Sequence, residues 1–457
     1  MSNVPHSLYF IGIGGIGMSG LARYFKARGH QVAGYDRTPS AITDKLQEEG
    51  IDVHFQEDPA TIPSHFRDTP ITAILVVRTP AVPLDSQLLK YWMDRRGRIV
   101  KRSVLLGMVT RNGRTVAVAG THGKTTVSTM LSHLLHEGGI PFNAFLGGIS
   151  VNYGTNVLLD QQAVVNVVEA DEFDRSFLQL LPNELIVTSM DADHLDIYHD
   201  AESMREAYHT LACLCTGRLE VHQDLLGAFE GIGDTRGYAI DGGSDRAENV
   251  RVADGTYEFD LDLGGTKVQG IRSGMPGRHN VENAIAASAM ALHLGVAAPA
   301  IRSGLASFRG VGRRFEVHVN EANAVYVDDY AHHPAELEAF VRSARELYSG
   351  RRITGIFQPH LFSRTRDLAA DFAKALALLD ELILLEIYPA REEPLPGITS
   401  QWLLDQVEME HKSLCTISDL GAAIDRTGPD VLLSMGAGDI DRQVPMLRSR
   451  MQQRAKR

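Results

Sequence analysis

The chain is predicted to be an α/β protein made of three successive units. Two apolar runs, 7–11 and 114–119, each lead into a glycine-rich loop followed by a helical stretch, and the strand–helix alternation restarts near Gly107 and again at Asn323. Short apolar runs alternating with helical patterns of about 10–15 residues are the mark of parallel sheets joined by crossover helices.

The first unit reads as a strand over 7–13, a helix over 17–28, a strand over 31–35 and, after a loop, a strand over 71–77. The second reads as a strand over 114–119, a glycine loop and a helix over 124–137. From 216 to 275 short β-like pieces lie between Gly/Asp turns such as Asp241-Gly-Gly-Ser and Asp254-Gly-Thr. A helix over 280–294 precedes the third unit, whose strands are expected at 323–328, 352–357, 382–386 and 430–434. The basic tail, 448–457, reads as helical or frayed.

At 457 residues, with 22% charged and 44% hydrophobic side chains, the chain is long enough for two or three domains. Its formal charge of −12 argues against a nucleic acid partner, because neutralising phosphates takes a concentrated basic face. Three cysteines, Cys213, Cys215 and Cys415, are too few for a disulfide framework or a structural zinc, and the Cys-x-Cys pair reads as buried packing. The first apolar run follows Met1-Ser-Asn-Val-Pro5 without a basic segment, so it reads as a strand and not a signal peptide. No apolar run approaches the roughly 20 residues that cross a bilayer, so no membrane partner and a cytoplasmic location are expected.

Gly12, Gly14 and Gly17 fit the dinucleotide fingerprint G-x-G-x-x-G, and Asp36 follows about 20 residues on. In that pattern Gly12 makes the tight turn, Gly14 lets a diphosphate approach backbone, and Gly17 allows close helix–strand packing. A nicotinamide dehydrogenase would account for residues 12–36 alone. It would leave the second loop unused.

That loop, Gly120-Thr121-His122-Gly123-Lys124-Thr125-Thr126, is a variant phosphate loop with Val118 where the first glycine usually stands. Its backbone amides and helix start would cradle phosphates, Lys124 would reach the terminal phosphates of ATP, and the Thr125 hydroxyl would bind Mg²⁺. The run 163–168 ends in Glu169-Ala170-Asp171-Glu172, and the run 185–189 ends in Met190-Asp191-Ala192-Asp193-His194-Leu195-Asp196. Both place carboxylates where hard Mg²⁺ would find oxygen ligands beside phosphate. In the third unit, Asp328-Asp329-Tyr330-Ala331-His332-His333-Pro334 and Phe357-Gln358-Pro359-His360-Leu361-Phe362-Ser363-Arg364-Thr365-Arg366 follow strand ends, and the two arginines could grip a carboxylate or phosphate.

Taken in order, residues 12–20, 120–126, 169–172, 193–196, 277–283, 312–316, 329–334 and 357–367 resemble the Mur ligase family, the ATP-dependent amide-forming enzymes of peptidoglycan synthesis. Within it they are similar to the branch that adds the first amino acid, L-alanine, to UDP-N-acetylmuramate; a recycling ligase that joins a tripeptide to the same sugar nucleotide is the alternative. The resemblance implies a Rossmann-like N-terminal domain for the UDP-sugar over 1–108, a central P-loop ATPase-type domain over 109–308, and a Rossmann-like C-terminal domain for the amino acid over 309–457.

Carried over position by position, it implies UDP-sugar contacts at Gly14, Gly15, Ile16, Gly17, Asp36 and Thr79. ATP contacts fall on Gly120, Thr121, His122, Gly123, Lys124, Thr125, Thr126, His279, Asn283, Arg314 and Asp329. Metal contacts fall on Thr125, Glu169 and His194, and amino-acid contacts on Tyr330, His360 and Arg364. Lys124, Glu169, His194 and Arg314 are the implied catalytic residues. Other branches carry a carbamylated lysine after the His-x-Asp segment; here no lysine occurs between Lys124 and Lys267, and His209 lies near where it would fall.

Overall fold

The structure, a computed structural model, describes residues 4–456 apart from 112, 192–197, 199 and 391, and leaves out the side chains of 173, 174 and 201. It is an α/β protein with three sheets. Two compact units divide the chain, one of residues 1–248, 261–269 and 283–304, the other of residues 249–260, 270–282 and 305–457.

In the first unit, β1 (Ser7–Ile11), β2 (Gln31–Tyr35), β3 (Asp52–His54), β4 (Ile74–Arg78) and β5 (Arg98–Lys101) form a five-stranded sheet in the order β3-β2-β1-β4-β5, parallel throughout. All five residues of β1 are buried, as expected of a strand covered on both faces. β1 stops at Ile11, two residues short of the expected end, because Gly12 turns at φ +86°. The expected strand over 71–77 also starts late: Pro70 opens a single 3-10 turn over Ile71–Ala73, and pairing begins at Ile74.

The second sheet begins with β6 (Arg114–Ala119), β7 (Phe142–Ser150), β8 (Thr155–Leu158), β9 (Val165–Glu169), β10 (Glu184–Val187), β11 (Arg218–His222) and β12 (Asp234–Ile240). The region of Gly/Asp turns supplies β13 (Gly242–Gly243), β14 (Asp245–Ala253), β15 (Thr256–Leu263) and β16 (Thr266–Arg272). Its order is β16-β15-β14-β12-β11-β10-β6-β9-β7-β8. β6 thus lies between β10 and β9, parallel to both, with its helix Lys124–Glu137 crossing over to β7.

One apolar core runs through both sheets of this unit, from Leu8, Phe10 and Phe25 to Val168, Leu185 and Phe229 among its buried members. A polar clamp adds direction. The Asn156 carboxamide, 1% exposed, donates to the Ile16 carbonyl at 2.5 Å and Ser19 Oγ at 3.1 Å, and accepts from Arg23 at 2.7 Å. Arg23 in turn reaches Glu49 at 2.7 Å.

In the second unit, β17 (Glu316–Glu321), β18 (Ala324–Asp329), β19 (Ile353–Phe357), β20 (Glu381–Leu385), β21 (Lys412–Cys415) and β22 (Val431–Met435) form a sheet of order β17-β18-β22-β19-β20-β21. All its pairings are parallel except β17 with β18, whose register shifts between Val317 and Val319. That irregular, polar edge strand carries no clean alternation and escapes sequence reading. The tail forms the helix Val444–Ala455, which seats Leu447 and Met451 in the core with Tyr326 and Leu432.

The cysteines depart from expectation. Cys213, at the end of the helix Ala201–Cys213, is exposed, and Cys215 is half-buried with its thiol donating to the Asn183 carbonyl at 3.3 Å. Only Cys415 is buried among the three, and all are free. The buried face of that helix is set by Met204, Ala207, Tyr208, Leu211 and Ala212, which leaves position 213 on the solvent side.

Asn156→Ala should lower the unfolding free energy by about 2–3 kcal/mol, since it leaves the buried Arg23 guanidinium and the Ile16 carbonyl short of partners. Urea denaturation measures it; a change within about 0.5 kcal/mol would mean that the clamp contributes nothing.

Candidate active site

The phosphate-type loop leaves the carboxyl end of β6 with Glu169 at the end of β9 on one side and the segment after β10 on the other. Ligands of open α/β sheets bind at such edges, where neighbouring connections run to opposite sides. Gly120 and Gly123 take φ of +134° and +82°, and the helix Lys124–Glu137 begins at Gly123 with no side chain capping it. Its first amides are therefore free of an internal side-chain acceptor, which is what an anion site requires.

Ser189 and Thr188 fasten the loop. The His122 amide donates to Ser189 Oγ at 2.8 Å, the Thr121 amide to the Ser189 carbonyl at 3.2 Å, and Thr188 Oγ1 donates to the His122 carbonyl. Thr121 Oγ1 donates to the Asp191 carbonyl at 2.9 Å. Lys124 folds back inside the loop, with Nζ donating to the carbonyls of Gly120 at 2.5 Å and Thr121 at 3.2 Å and to Glu172 Oε1 at 2.9 Å. Burial opposes the Lys124 charge, but Glu172 and Glu169 outweigh it and hold the ammonium above the ordinary lysine value. Glu172 is 2% exposed, and burial pushes its carboxyl up to about 7 against the pull of Lys124.

Thr125 and Thr126 start the helix and are buried. Glu169 Oε2 accepts from the Gly147 amide at 3.0 Å, and a Cβ at position 147 would collide with that carboxylate. Asn283 lies against the same loop: a Cβ on Gly123 would come within 2.8 Å of its Oδ1. Among the described residues no group of three or more His, Cys, Asp or Glu side chains forms a ready-made metal cage. The donor set still suits Mg²⁺, which takes one or two carboxylates and fills the rest from phosphate and water. His194 lies outside the described residues.

At the first glycine loop the Gly14 amide is occupied by Asp36, whose Oδ2 accepts from it at 2.8 Å. Gly15 caps the helix Ile16–Ala27 without a side-chain bond, so the amides at that helix start remain open. The Thr79 methyl packs on Gly12, where a Cβ would stand 2.7 Å from it. Gly17 is small for a reason other than helix–strand packing: a Cβ there would lie 2.8 Å from an Arg102 nitrogen, and Arg102 continues to Asp171 at 3.0 Å.

In the second unit, Asp329 at the end of β18 accepts from the amides of Phe315 at 2.7 Å and Ala331 at 2.8 Å, and burial pushes its carboxyl up to about 7 against the pull of Arg314. This pins the turn 313–315, where Arg313 and Phe315 adopt φ of +61° and +47°. Both arginines then lie over the Tyr330 ring, Arg313 at 5.4 Å and Arg314 at 5.1 Å, and Arg314 stands 3.8 Å from Glu336. Tyr330 contacts His332 edge-on at 5.2 Å, and His332 contacts His360 at 6.0 Å. His360 stacks on Tyr388 at 5.9 Å and precedes the helix Phe362–Asp367 that carries Arg364. His279 is turned to Ser343 Oγ at 3.3 Å; burial lowers its imidazole to about 4, with Glu282 opposing and Arg314 assisting.

Two residues of the loop's surroundings were missed by sequence reading. Glu172 was one member of an acidic cluster, with nothing to mark it as the partner of Lys124. Tyr208 falls on the apolar face of its helix and reads as core. His209 beside it is exposed, with Nδ1 3.6 Å from Cys213 Sγ.

Three domain models of one family match most of the chain. Residues 7–114 match the model of the Mur ligase family catalytic domain, 118–291 the Mur ligase middle domain, and 313–438 the Mur ligase glutamate ligase domain. The chain belongs to the Mur ligase family. It is similar to the UDP-N-acetylmuramate–L-alanine ligases of Porphyromonas gingivalis, strain W83 (48% identity, 96% of this chain and 97% of that one), and Flavobacterium johnsoniae (45%, 98% of each). It also resembles the crystal structure of a UDP-N-acetylmuramate–alanine ligase from Thermotoga maritima, with a TM-score of 0.83 at 27% identity over 98% of this chain and 99% of that one.

Gly123→Ala should weaken nucleotide binding by at least about tenfold, since it combines a strained φ with a clash against Asn283; titration calorimetry with MgATP measures this, and unchanged affinity would contradict the loop geometry. His279 should titrate near 4 by ring-proton NMR, with its ordinary value near 6.5 regained on unfolding. Its neutral form stabilises the fold fully above about 6.5, and that contribution is lost as the pH falls toward 4.

Proposed function

We propose that this protein ligates L-alanine to the carboxylate of UDP-N-acetylmuramate at the expense of ATP, giving ADP and phosphate, as a step in peptidoglycan precursor synthesis. The observation that carries the reading is the loop 120–126, with a charged Lys124 inside it and Glu169 at the neighbouring strand end, in a chain whose full-length relatives bear that activity's name.

In this reading residues 1–108 hold the UDP-sugar, 109–308 the nucleotide and 309–457 the amino acid. Ile16 and Gly17 offer helix-start amides to the diphosphate beside Gly15, whose own amide donates to the Gly12 carbonyl at 3.3 Å. Asp36, already holding the Gly14 amide, faces the nucleoside end with Thr79 nearby on the turn after β4. Gly120, Thr121, His122, Gly123, Lys124, Thr125 and Thr126 receive the ATP phosphates. His279 and Asn283, one helical turn apart, take the adenine, Asp329 the ribose and Arg314 the γ-phosphate.

The sugar's carboxylate oxygen attacks the γ-phosphorus. An O–P bond forms, the bridging bond to ADP breaks, and an acyl phosphate results. The alanine amine then attacks the acyl carbon; the C–N bond forms, phosphate departs and the amine's proton goes to solvent. The chemical difficulty is to bring two anions together, which Lys124 and Arg314 counter with fixed positive charge. Mg²⁺ at Thr125, Glu169 and His194 would supply further charge neutralisation at the phosphates. Tyr330, His360 and Arg364 receive alanine, with Arg364 suited to its carboxylate.

Phosphate release should require UDP-N-acetylmuramate and free L-alanine together; no turnover with this pair, or turnover only with a tripeptide, would overturn the assignment. Lys124→Ala should lower kcat by at least about 10³-fold while sugar-nucleotide affinity stays within about twofold, since it removes charge from the transferring phosphoryl group alone. Retained turnover would contradict the role given to Lys124.

A further inference from the structure

Free alanine is a zwitterion at neutral pH, and its ammonium has no lone pair. It must lose one proton before the nitrogen can attack an acyl carbon, and a second as the amide forms. Of the residues assigned to alanine, Arg364 is a fixed cation and Tyr330 a phenol, and neither takes up a proton at neutral pH. Histidine is the side chain suited to that task. His332 and His333 follow Tyr330 directly, and His360 stands across from them. The His333 ring is occupied as a helix cap, its Nδ1 accepting from the Ala335 amide at 3.4 Å, and the His360 ring lies against Tyr388 with Nδ1 buried.

His332 is held differently. Its Nδ1 lies 3.1 Å from the Tyr330 carbonyl oxygen and 3.2 Å from Glu336 Oε2. A carbonyl only accepts, so the ring proton sits on Nδ1. The neutral ring then carries its lone pair on Nε2, which has no hydrogen-bond partner among the described residues and is not sealed from solvent. Glu336 is itself fixed, with Oε2 accepting from the amides of His332 at 3.0 Å and His333 at 3.3 Å at the start of the helix Pro334–Leu347. The His332 ring meets Tyr330 at 5.2 Å and His360 at 6.0 Å, so an amine bound against those two residues lies within reach of it. One ring nitrogen anchored on an acceptor, the other presenting a lone pair, and a carboxylate beside the anchored side to steady an imidazolium are the parts of a general base.

We propose that His332 is the general base for alanine, a catalytic residue of the second half of the reaction. Nε2 takes one proton from the alanine ammonium, and the neutral nitrogen attacks the acyl carbon. The C–N bond forms, the C–O bond to phosphate breaks, and the nitrogen gives up its second proton to solvent. The imidazolium, steadied by Glu336, returns its proton to water. This rests on the acyl-phosphate reading of the ligase proposed above.

The test supplies the full-length protein with UDP-N-acetylmuramate, MgATP and one of two nucleophiles, L-alanine or hydroxylamine. Hydroxylamine is uncharged at neutral pH and traps an acyl phosphate as a hydroxamate without a base. His332→Asn puts an amide NH₂ where Nδ1–H stands, which keeps a donor for the Tyr330 carbonyl and removes Nε2. It should lower alanine ligation by at least about 10²-fold and hydroxamate formation by less than about threefold. An equal loss with both nucleophiles would mark a structural role and overturn the proposal, and so would alanine ligation within about threefold of wild type. Wild-type protein that forms neither product would overturn the ligase reading itself, a result distinct from either.

Discussion

Parallel strand pairing is the constraint on which the candidate sites depend. A strand that pairs in parallel with its neighbours must hand the chain to a crossover, and each crossover leaves from the same edge of the sheet. β1, β6 and β18 all lie inside their sheets, so the turn after each emerges at the carboxyl edge between two other strand ends. The glycine loop after β1 and the phosphate loop after β6 follow from that constraint, and Asp329-Tyr330 follows β18, which is parallel to β22 and antiparallel only to the edge strand β17. What distinguishes them is the side chain contributed from nearby strand ends: Asp36 after the neighbouring β2, Glu169 at the end of the neighbouring β9, and His360 after β19, one strand beyond β22.

Each loop is then held in shape by a carboxylate aimed at backbone or at a lysine. Asp36 takes the Gly14 amide, Glu172 takes Lys124, and Asp329 takes the amides of Phe315 and Ala331. The two buried ones, Glu172 and Asp329, both have their carboxyls raised to about 7. Each is stable as an anion only while its partners stay in place. Loop shape and local charge are therefore one variable, since a ligand that moves a partner also shifts the carboxyl toward its neutral form.

Most of this fold was legible because its signals are local. The strand 114–119 and the helix 124–137 stand where apolar run and glycine loop place them, since Gly120 and Gly123 need the positive φ that glycine permits. Elements without such punctuation were less visible. β17 is a bulged polar edge, and the start of β4 depends on Pro70 turning the chain first. At the site, Lys124 and Asp329 stood out by motif, whereas the pairing of Lys124 with Glu172 joins residues 48 positions apart. No spacing rule reaches that far; it is set by how β6 and β9 pair side by side in the sheet.

The first glycine loop shows how a fingerprint and its ligand can part company. Its second glycine is the place where a dinucleotide's diphosphate would meet bare backbone, yet here that amide already serves Asp36. An anion brought to Gly14 would face a carboxylate of its own sign. The helix start at Gly15 and Ile16 carries no such carboxylate, and its partial positive charge attracts phosphate. The loop is thus polarised along its length, accepting at Asp36 and donating at the helix start, which suits a ligand with hydroxyls at one end and phosphates at the other. Gly17 extends the same logic, because the space left by its missing Cβ admits Arg102, a cation anchored on Asp171, two residues after Glu169.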